Sequence, residues 1–210
     1  MQHTDDHRIL EGTWLPVMEE FYSLQGEGHH TGKAAYFIRL GGCDNGCWWC
    51  DVKESWNATL YPLVEIDKVI ARTAQFPAKA VVITGGEPLY YNLDYLCKGL
   101  RDKGVKIFLE TSGSEPLSGR CDWICLSPKK TSPPLPEIYK LANELKVIIA
   151  DHSDLEWAED NAPKVGKSCI LYLQPEWSAR ETIIPVVVDY IKRNPKWAIS
   201  LQSHKYIRIP

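Results

Sequence analysis

The sequence predicts an α/β fold with a mainly parallel sheet. Apolar segments rich in β-branched residues alternate along the chain with amphipathic segments, and the apolar segments are nearly continuous. Strands that alternate with helices form parallel sheets through crossover connections, and continuous apolar strands are typical of a sheet that helices cover. At 210 residues, the chain is long enough for one domain with a sizeable core.

Each element follows from a local pattern. Apolar runs predict strands over 16–24, 34–42, 78–86, 105–113, 121–128, 144–150, 169–175 and 196–202. Helical periodicity and flanking residues predict helices over 64–76, 92–104, 135–142, 154–161 and 179–193. Gly104 is placed at the C-terminal cap of the second helix. Residues 43–62 are predicted to be a functional loop, and residues 1–14 a flexible N-terminal extension.

Composition argues against several classes of protein. Hydrophobic residues make up 44% and charged residues 24%, which is typical of a globular protein and not of a disordered or fibrous one. A net charge of −3 gives no general attraction to nucleic acid or to a membrane surface, so neither is a predicted partner. No apolar run approaches the roughly 20 residues of a membrane helix, and the polar N-terminus lacks the core of a signal peptide. The predicted location is therefore the cytoplasm.

Polar or glycine-rich residues follow four of the predicted strands. They are TGGEP at 84–88, ETSGS at 110–114, SPKK at 127–130 and QPEW at 174–177. In parallel α/β folds the carboxyl ends of the strands line the active site, so these four segments should meet at one edge of the sheet. The loop that contains three cysteines also follows a strand and should open at the same edge.

The three cysteines of this loop lie in GGCDNGCWWCDV, residues 41–52, with the spacing C-x3-C-x2-C. Without a secretion signal, cysteines grouped in this way indicate metal or redox chemistry and not disulfides. The other four cysteines lie among apolar residues and are predicted to be small buried hydrophobic side chains: Cys97, Cys121, Cys125 and Cys169.

Two metal centres are compatible with the loop. A zinc ion would need a fourth ligand, which His29, His30 or Asp51 could supply. A four-iron cluster bound by three thiolates would leave one iron open for another ligand, and Trp48 and Trp49 would form an apolar shell around it. The residues alone leave both possibilities open.

The cysteine loop resembles the C-x3-C-x2-C motif of the radical S-adenosylmethionine (SAM) enzymes. Residues 85–88, GGEP, resemble the motif with which that superfamily binds the methionine amino group of SAM. The resemblance implies a 4Fe–4S cluster held by Cys43, Cys47 and Cys50, whose open iron is chelated by SAM. It also implies one radical SAM domain over residues 15–210.

A more specific set of motifs resembles the 7-carboxy-7-deazaguanine synthases. The set comprises LQGEG at 24–28, FIRLGGC at 37–43, SPK at 127–129, LQP at 173–175 and the terminal LQSHKYIRIP. This resemblance implies a modified partial (β/α) barrel, usually a homodimer, and a carbon–nitrogen lyase. The implied reaction converts 6-carboxy-5,6,7,8-tetrahydropterin to 7-carboxy-7-deazaguanine with loss of ammonia, in the biosynthesis of queuosine and other 7-deazapurines. The implied reductant is an external electron donor of the flavodoxin or ferredoxin type.

Three other functions share part of the pattern. One is an electron-transfer protein with a conventional cluster, which would need a fourth cysteine near the loop, and none is close in sequence. A different radical SAM enzyme, such as an activase of a glycyl radical enzyme, would have the cysteine loop but should lack LQGEG and the terminal motif. A zinc-binding interaction module would be colourless and contain about one zinc ion per chain, as a closed single-metal site would.

The resemblance implies specific binding residues for both ligands. Those for SAM are Trp49, Asp51, Gly86, Glu87, Ser112, Ser127, Pro128, Lys129, Gln174, Pro175, Glu176 and Trp177. Those for the pterin are Leu24, Gln25, Gly26, Glu27, Arg39, Thr84, His204 and Pro210. Arg39 is the candidate partner of the substrate carboxylate, because a guanidinium binds a carboxylate through two hydrogen bonds. The terminal carboxylate of Pro210 is expected to reach the substrate, so that residues appended after it would reduce activity.

One position departs from the pattern of the family. The synthases commonly have Thr or Ser after the Cys-Asp pair that ends the loop, where the hydroxyl helps to bind Mg²⁺, and this chain has Val52. A valine side chain contains no oxygen. Either Mg²⁺ is bound in another way, or the ammonium group of Lys53 supplies the positive charge beside the substrate.

Overall fold

The computed structural model describes residues 7–210, in which nine strands form one sheet. The strands are β1 (Trp14–Leu24), β2 (Ala34–Leu40), β3 (Leu63–Glu65), β4 (Ala80–Gly85), β5 (Lys106–Thr111), β6 (Trp123–Leu126), β7 (Glu144–Ile149), β8 (Ile170–Pro175) and β9 (Trp197–Ile199). Their order in the sheet is β3-β1-β2-β4-β5-β6-β7-β8-β9.

Six α-helices connect the strands or follow them. They are α1 (Ile66–Thr73), α2 (Asp94–Asp102), α3 (Pro136–Leu141), α4 (Ser153–Asn161), α5 (Arg180–Arg193) and α6 (Ser203–Ile207). Short 3-10 turns occur at Gly28–His30, Lys53–Trp56, Ala58–Leu60, Pro88–Tyr90 and Ala162–Lys164. No helix among the described residues has the length and apolar character needed to span a bilayer.

The prediction of a mainly parallel sheet is confirmed. All strand pairs from β2 and β4 onward to β8 and β9 are parallel. The exceptions are at one edge, where β1 pairs in antiparallel fashion with both β2 and β3. Because β3 and β9 lie at opposite ends of the strand order, the sheet is not closed, as expected of a partial barrel.

Alternation along the strands separates the core from the site. Ile83 of β4 and Leu109 of β5 are fully buried in an apolar cluster with residues of α1 and α2. The next residue along each strand, Thr84 in β4 and Glu110 in β5, points to the opposite, concave face and lines a cavity there. A second cluster packs α3, α4 and α5 against the strands from β6 to β9. The helices therefore cover one face, and the concave face is left for function.

The loop between β1 and β2 crosses the amino-terminal end of the concave face. Its 3-10 turn, Gly28–His30, lies against the start of β7, where the buried Glu144 carboxylate accepts hydrogen bonds from the His29 N–H at 3.0 Å and the Trp123 Nε1–H at 3.1 Å. These bonds fix the turn. The residues just before it, 24–27, line the cavity, and we call them its floor.

Several local predictions can be compared directly. Gly104 has φ +70°, its N–H donates to the Arg101 carbonyl at 2.9 Å, and the next N–H donates to Leu100 at 3.1 Å, which confirms its position at the end of α2. Residues 63–65, in contrast, form strand β3, so the helix predicted from residue 64 begins at Ile66. Part of the predicted extension, residues 1–6, lies outside the described residues. Within the rest, residues 7–10 are helical and β1 begins at Trp14.

The four cysteines outside the loop pack with apolar residues to different extents. Cys97 and Cys125 are buried, whereas Cys121 and Cys169 are partly buried against the two apolar clusters. Cys121 lies two residues before β6 and is not part of the strand predicted over 121–128.

Candidate active site

A cavity of about 390 Å³ opens at the carboxyl ends of the parallel strands. It is lined by all of the residues predicted to bind the cluster, SAM or the pterin except Pro128, which is buried outside the lining. The segments that follow β4, β5, β6 and β8 meet here with the cysteine loop, as their positions after the strands predicted.

The three cysteines of the loop lie around this cavity as free, half-buried thiols. The base of the loop is fixed by the Gly42 N–H, which donates to the Ser55 carbonyl at 2.6 Å, and by the Cys43 N–H, which donates to the Trp56 carbonyl at 3.1 Å. Burial raises the pKa of Cys43, and the charges of Glu87 and the other two thiols add to the rise. Three neighbouring thiols of this kind become thiolates when a metal centre supplies compensating charge.

The arrangement fits an iron–sulfur cluster better than zinc. Within residues 7–210, no three His, Cys, Asp or Glu side chains converge closely enough to hold a single metal ion. The histidines considered as zinc ligands stack elsewhere, His29 on Trp123 and His30 on Phe108, with ring centres 4.6 and 3.9 Å apart. The thiolates of a four-iron cluster bind separate irons and need not converge on one point.

The two tryptophans of the loop have different environments. Trp49 lines the cavity, and the Lys129 ammonium lies 5.3 Å from the centre of its ring. Trp48 is 66% exposed. The expectation that both rings shield the cluster is therefore wrong for Trp48, because its side chain points to solvent.

The GGEP segment is held directly against the cysteine loop. The Gly86 N–H donates to the Leu40 carbonyl at 2.9 Å, and the Glu87 N–H donates to the Gly42 carbonyl at 2.8 Å. A Cβ atom at Gly86 would lie 2.1 Å from the Gly42 oxygen and 2.8 Å from Cys43 Cβ. Only glycine allows so close an approach of the two backbones.

Glu87 is buried and fully engaged with the end of β5. With 1% exposure, its carboxylate accepts hydrogen bonds from the Thr111 hydroxyl and from the Ser112 N–H and hydroxyl. It also accepts one from the Leu89 N–H at 3.1 Å. These bonds make Glu87 an anchor that ties the turn after β4 to the turn after β5, at the place predicted for the methionine end of SAM.

The turns after β6 and β8 contribute the other side of the predicted SAM site. Lys129 folds back to donate to the Ser127 carbonyl at 2.6 Å and hydroxyl at 2.7 Å. Glu176 accepts from the Ser178 N–H and the Ala179 N–H, both at 2.9 Å, just before α5. The carboxylate is thus occupied by its own turn and leaves the Trp177 ring to face the cavity.

The Asn45 side chain offers a hydrogen-bond acceptor to a polar ligand. The side-chain oxygen of Asn45, between Cys43 and Cys47, is buried beside the cavity without a hydrogen-bond partner. A buried acceptor of this kind is costly unless a ligand donates to it. The cysteine loop thus contains both free thiols for a cluster and an unpaired acceptor for the ligand that accompanies it.

Gln25 and Glu27 lie on the floor of the cavity, but both polar atoms of the Gln25 side chain already make hydrogen bonds within the protein. Its amide nitrogen donates to Glu110 at 2.9 Å, and its amide oxygen accepts the Glu27 N–H at 3.1 Å. The second Glu110 oxygen accepts from the Thr84 hydroxyl at 3.1 Å. Gln25 and Thr84 are therefore oriented by one carboxylate that the sequence alone did not single out.

Arg39 lines the cavity and also makes an ion pair within the protein. Its guanidinium lines the cavity, and its Nε donates to the Glu19 carboxylate at 2.6 Å. Only the Nε–H is used in that ion pair, so the terminal nitrogens are the donors available for a substrate carboxylate.

The C-terminal segment forms one wall of the cavity. Ser203 donates to the Gly26 carbonyl through both its N–H and its hydroxyl, at 2.9 Å each. Burial lowers the pKa of His204, so that its ring is neutral near pH 7. Pro210 lines the cavity, and one oxygen of its terminal carboxylate accepts a hydrogen bond from the Ser23 hydroxyl at 3.1 Å.

The positive charge near Val52 does not come from Lys53. Lys53 is exposed and lies outside the lining, so the suggestion that its ammonium faces the substrate is wrong. Lys205 occupies that region, with its Nζ 2.6 Å from Asp51 Oδ2 and 5.1 Å from the Trp177 ring centre.

Sequence reasoning assigned no binding role to seven charged or polar residues of the lining. They are Asn45, Ser55, Glu110, Thr111, Lys146, Gln202 and Lys205. Lys146 could have been found, because a single lysine inside the apolar strand ELKVIIA is unusual in a covered sheet. The partnerships of Glu110 and Gln202 join segments far apart in sequence and leave no local signal.

The chain is similar to known proteins along most of its length. A model of the radical SAM superfamily matches residues 37–148, more than half of the chain. The chain is 53% identical to a 7-carboxy-7-deazaguanine synthase of Flavobacterium psychrophilum, with 96% of each chain covered. It is 47% identical to the protein of that name from a Synechocystis species, with 92% of this chain and 93% of the other covered.

A solved structure shares the fold. The crystal structure of QueE from Escherichia coli superposes with a TM-score of 0.76 at 29% identity, covering 95% of this chain and 99% of that one. The likeness therefore extends over nearly the whole of both chains.

Proposed function

The chain belongs to the 7-carboxy-7-deazaguanine synthase family of radical SAM enzymes, and we propose that it converts 6-carboxy-5,6,7,8-tetrahydropterin to 7-carboxy-7-deazaguanine with loss of ammonia. It is a carbon–nitrogen lyase of 7-deazapurine biosynthesis. The observation that carries the proposal is the direct contact between the loop of Cys43, Cys47 and Cys50 and the GGEP turn, at one mouth of the sheet.

The cofactor would be held by the rim of the cavity. Cys43, Cys47 and Cys50 would hold the 4Fe–4S cluster, and the chemistry that the cluster would supply is one-electron reduction of SAM. Glu87 keeps the turn after β4 in place for the methionine end of SAM through its bonds to Thr111 and Ser112. Trp49 and Trp177 cover the rest of SAM and exclude water, as the protein must around reactive cofactors.

The pterin would lie deeper, on the floor formed by residues 24–27. Glu27 accepts hydrogen bonds from its N–H edge, and Thr84 and His204 contact its ring. Arg39 binds its carboxylate through the terminal guanidinium nitrogens. Pro210 remains a predicted contact, at a position where it lines the cavity.

The residues around Val52 do not favour a binding site for Mg²⁺. Asp51, the carboxylate next to it, is paired with Lys205 and Gln202. The Val52 carbonyl accepts the Ser55 hydroxyl at 2.7 Å. We therefore propose that Lys205 supplies the positive charge at this place and that turnover does not require Mg²⁺.

Turnover in the absence of oxygen tests the proposed function. Iron-reconstituted protein is incubated with reductant, SAM and 6-carboxytetrahydropterin, with Mg²⁺ or with chelator, and the products are followed by mass spectrometry. We expect 7-carboxy-7-deazaguanine at similar rates in both conditions. Product only with Mg²⁺ would refute the role of Lys205, whereas 5′-deoxyadenosine without the deazapurine would refute the substrate.

The reductant is proposed to be a flavodoxin or ferredoxin that docks on the outer face of the cysteine loop. Trp48, 66% exposed and next to Cys47, lies on that face. Tryptophan is enriched among residues that dominate binding at protein interfaces, and electron-transfer interfaces are small. One exposed ring can therefore contribute much of the contact.

Replacing Trp48 by alanine tests this surface. We expect cluster reduction by reduced flavodoxin to slow by about tenfold, as loss of one interface anchor would cause. Reduction by dithionite, which needs no docking surface, should be unchanged. Val188→Ala, on the outer face of α5, is the matched exposed control. Equal rates for Trp48→Ala and the unsubstituted protein would rule out this face.

A homodimer and a cytoplasmic location complete the proposal. Light scattering should give about twice the chain mass of 23.9 kDa. The protein should be found in the cytoplasmic fraction of lysed cells. A monomeric mass, or recovery with membranes, would contradict the respective proposal.

A further inference from the structure

A buried ion pair lies beneath the proposed pterin site. Lys146, on β7, is 4% exposed and contacts the Oε2 atom of Glu27. The other oxygen, Oε1, accepts a hydrogen bond from the Gln202 amide at 2.9 Å. All three side chains line the cavity.

The pair is not explained by the stability of the fold. A lysine inside a covered strand must lose its hydration, and a buried ion pair often stabilises a protein no more than apolar residues of the same volume. Its neighbours in the strand, Leu145 and Val147, point to the opposite face and pack in the second apolar cluster, so the core does not require a lysine at position 146. A role in the site is the better explanation.

The pair fixes the charge of Glu27. Burial alone would raise the pKa of this carboxyl, but the charge of Lys146 and its hydrogen bond outweigh burial and lower the pKa to about 2. Glu27 is therefore a carboxylate throughout the working pH range and can only accept hydrogen bonds. Lys146 and Gln202 each occupy one of the roughly four acceptor sites of this carboxylate, and the Gln174 side chain also interacts with it, so acceptor capacity remains for a ligand in the cavity.

We propose that Lys146 is a specificity-determining residue that acts through Glu27: it holds Glu27 as an acceptor, so that the site selects a ligand edge with adjacent N–H donors. The inference rests on the proposed function and deepens it. A 2-aminopterin presents two donors side by side, whereas a lumazine has a carbonyl in place of the amino group. A site built to pair with donors discriminates strongly against a ligand that leaves its acceptors unpaired.

Other ionisable groups surround the pair, and none lies between Lys146 and Glu27. They are Glu110 on β5, Cys125 on β6, Lys129 after β6, Asp51 in the cysteine loop and His204 on α6. Among them only His204 normally titrates near neutrality, and burial lowers its pKa. The unsubstituted site should therefore bind its ligand with little dependence on pH between about 6 and 8.

Titration calorimetry with 6-carboxypterin and 6-carboxylumazine tests the inference. Iron-reconstituted protein with SAM is measured from pH 6 to pH 8. Without Lys146, burial raises the pKa of Glu27, and the carboxylate is lost as the pH falls. We expect Lys146→Met to bind the pterin at least tenfold more weakly at pH 7 and weaker still at pH 6, with a reduced preference over lumazine. Lys146→Arg, which keeps the charge, should restore the preference.

The controls separate this role from folding and from the proposed function. The double variant Glu27→Gln/Lys146→Met contains no uncompensated charge and should fold, bind the pterin weakly at every pH and lose the preference. If either Met variant keeps the preference and pH profile of the unsubstituted protein, the role of Lys146 is refuted. If the unsubstituted protein itself fails to bind 6-carboxypterin, the proposed function fails, and the inference fails with it.

Discussion

Cys47→Ala is expected to abolish turnover and to remove the absorbance and electron paramagnetic resonance of the reduced iron–sulfur cluster. The thiol lies in the loop that lines the cavity, and this loop contains the three free cysteines that we propose as cluster ligands. A cluster held by only three protein ligands is not expected to stay bound when one of them is removed. The only other cysteine in the lining is Cys125, which is buried on β6 and cannot take its place. Iron content and spectra after anaerobic reconstitution measure the effect.

Cys169→Ala is the matched control for this prediction. Cys169 is also free and partly buried, but it packs at the start of β8 against the second apolar cluster, away from the loop. Removing its sulfur should cost about 1 kcal/mol of stability, in the range for the loss of one small buried group, and leave the cluster intact. A full complement of iron in Cys47→Ala would show that this thiol is not a ligand.

The strands of the sheet could be predicted because their composition is strongly biased. Apolar β-branched runs such as 78–86 and 144–150 became β4 and β7, with no end shifted by more than two residues. Strand β3 could not be predicted in this way. It has three residues, and it exists because Leu63, Val64 and Glu65 pair with the start of β1. A pairing between distant segments decides it, and local propensity does not.

The last helix shows the same limit. Residues 203–207 are too few and too polar to show a helical period, so the sequence predicts no helix there. The segment is held by Ser203 on the Gly26 carbonyl and by the His204 ring against Gly26. Contacts between the two ends of the chain thus determine its structure.

The residues of the candidate site also fall into two groups, those that the sequence could predict and those that it could not. Residues in motifs, such as Cys43 and Glu87, could be assigned from spacing and resemblance. The residues that orient them could not, because Glu110 acts on Gln25 and Lys146 acts on Glu27 across more than 80 positions of sequence. The ion pair between Arg39 and Glu19 also joins distant segments, and the sequence motif that contains Arg39 does not indicate it.

Gly86→Ala should be nearly as damaging as loss of a cysteine, for a steric reason. The new methyl group would lie 2.1 Å from the Gly42 carbonyl oxygen, and that atom belongs to backbone that cannot rotate away. Gly86 does not have the positive φ of its neighbour Gly85, so the cost comes from the contact and not from an unfavourable backbone conformation. Relief requires the turn after β4 to move away from the cysteine loop, which breaks the Glu87 N–H bond to Gly42.

We expect Gly86→Ala to lose about 3 kcal/mol of stability, the upper end for overpacking, because the obstacle is main chain. Calorimetry should show SAM binding weakened by at least tenfold, since the displaced turn contains the proposed amino-group site. Gly166→Ala is the control: a Cβ there meets nothing within 4 Å, and its effect should stay within about 0.5 kcal/mol. If Gly86→Ala melts and binds SAM like the control, the close contact between β4 and the cysteine loop does not hold the site together, and the assignment of GGEP to the cofactor loses its structural basis.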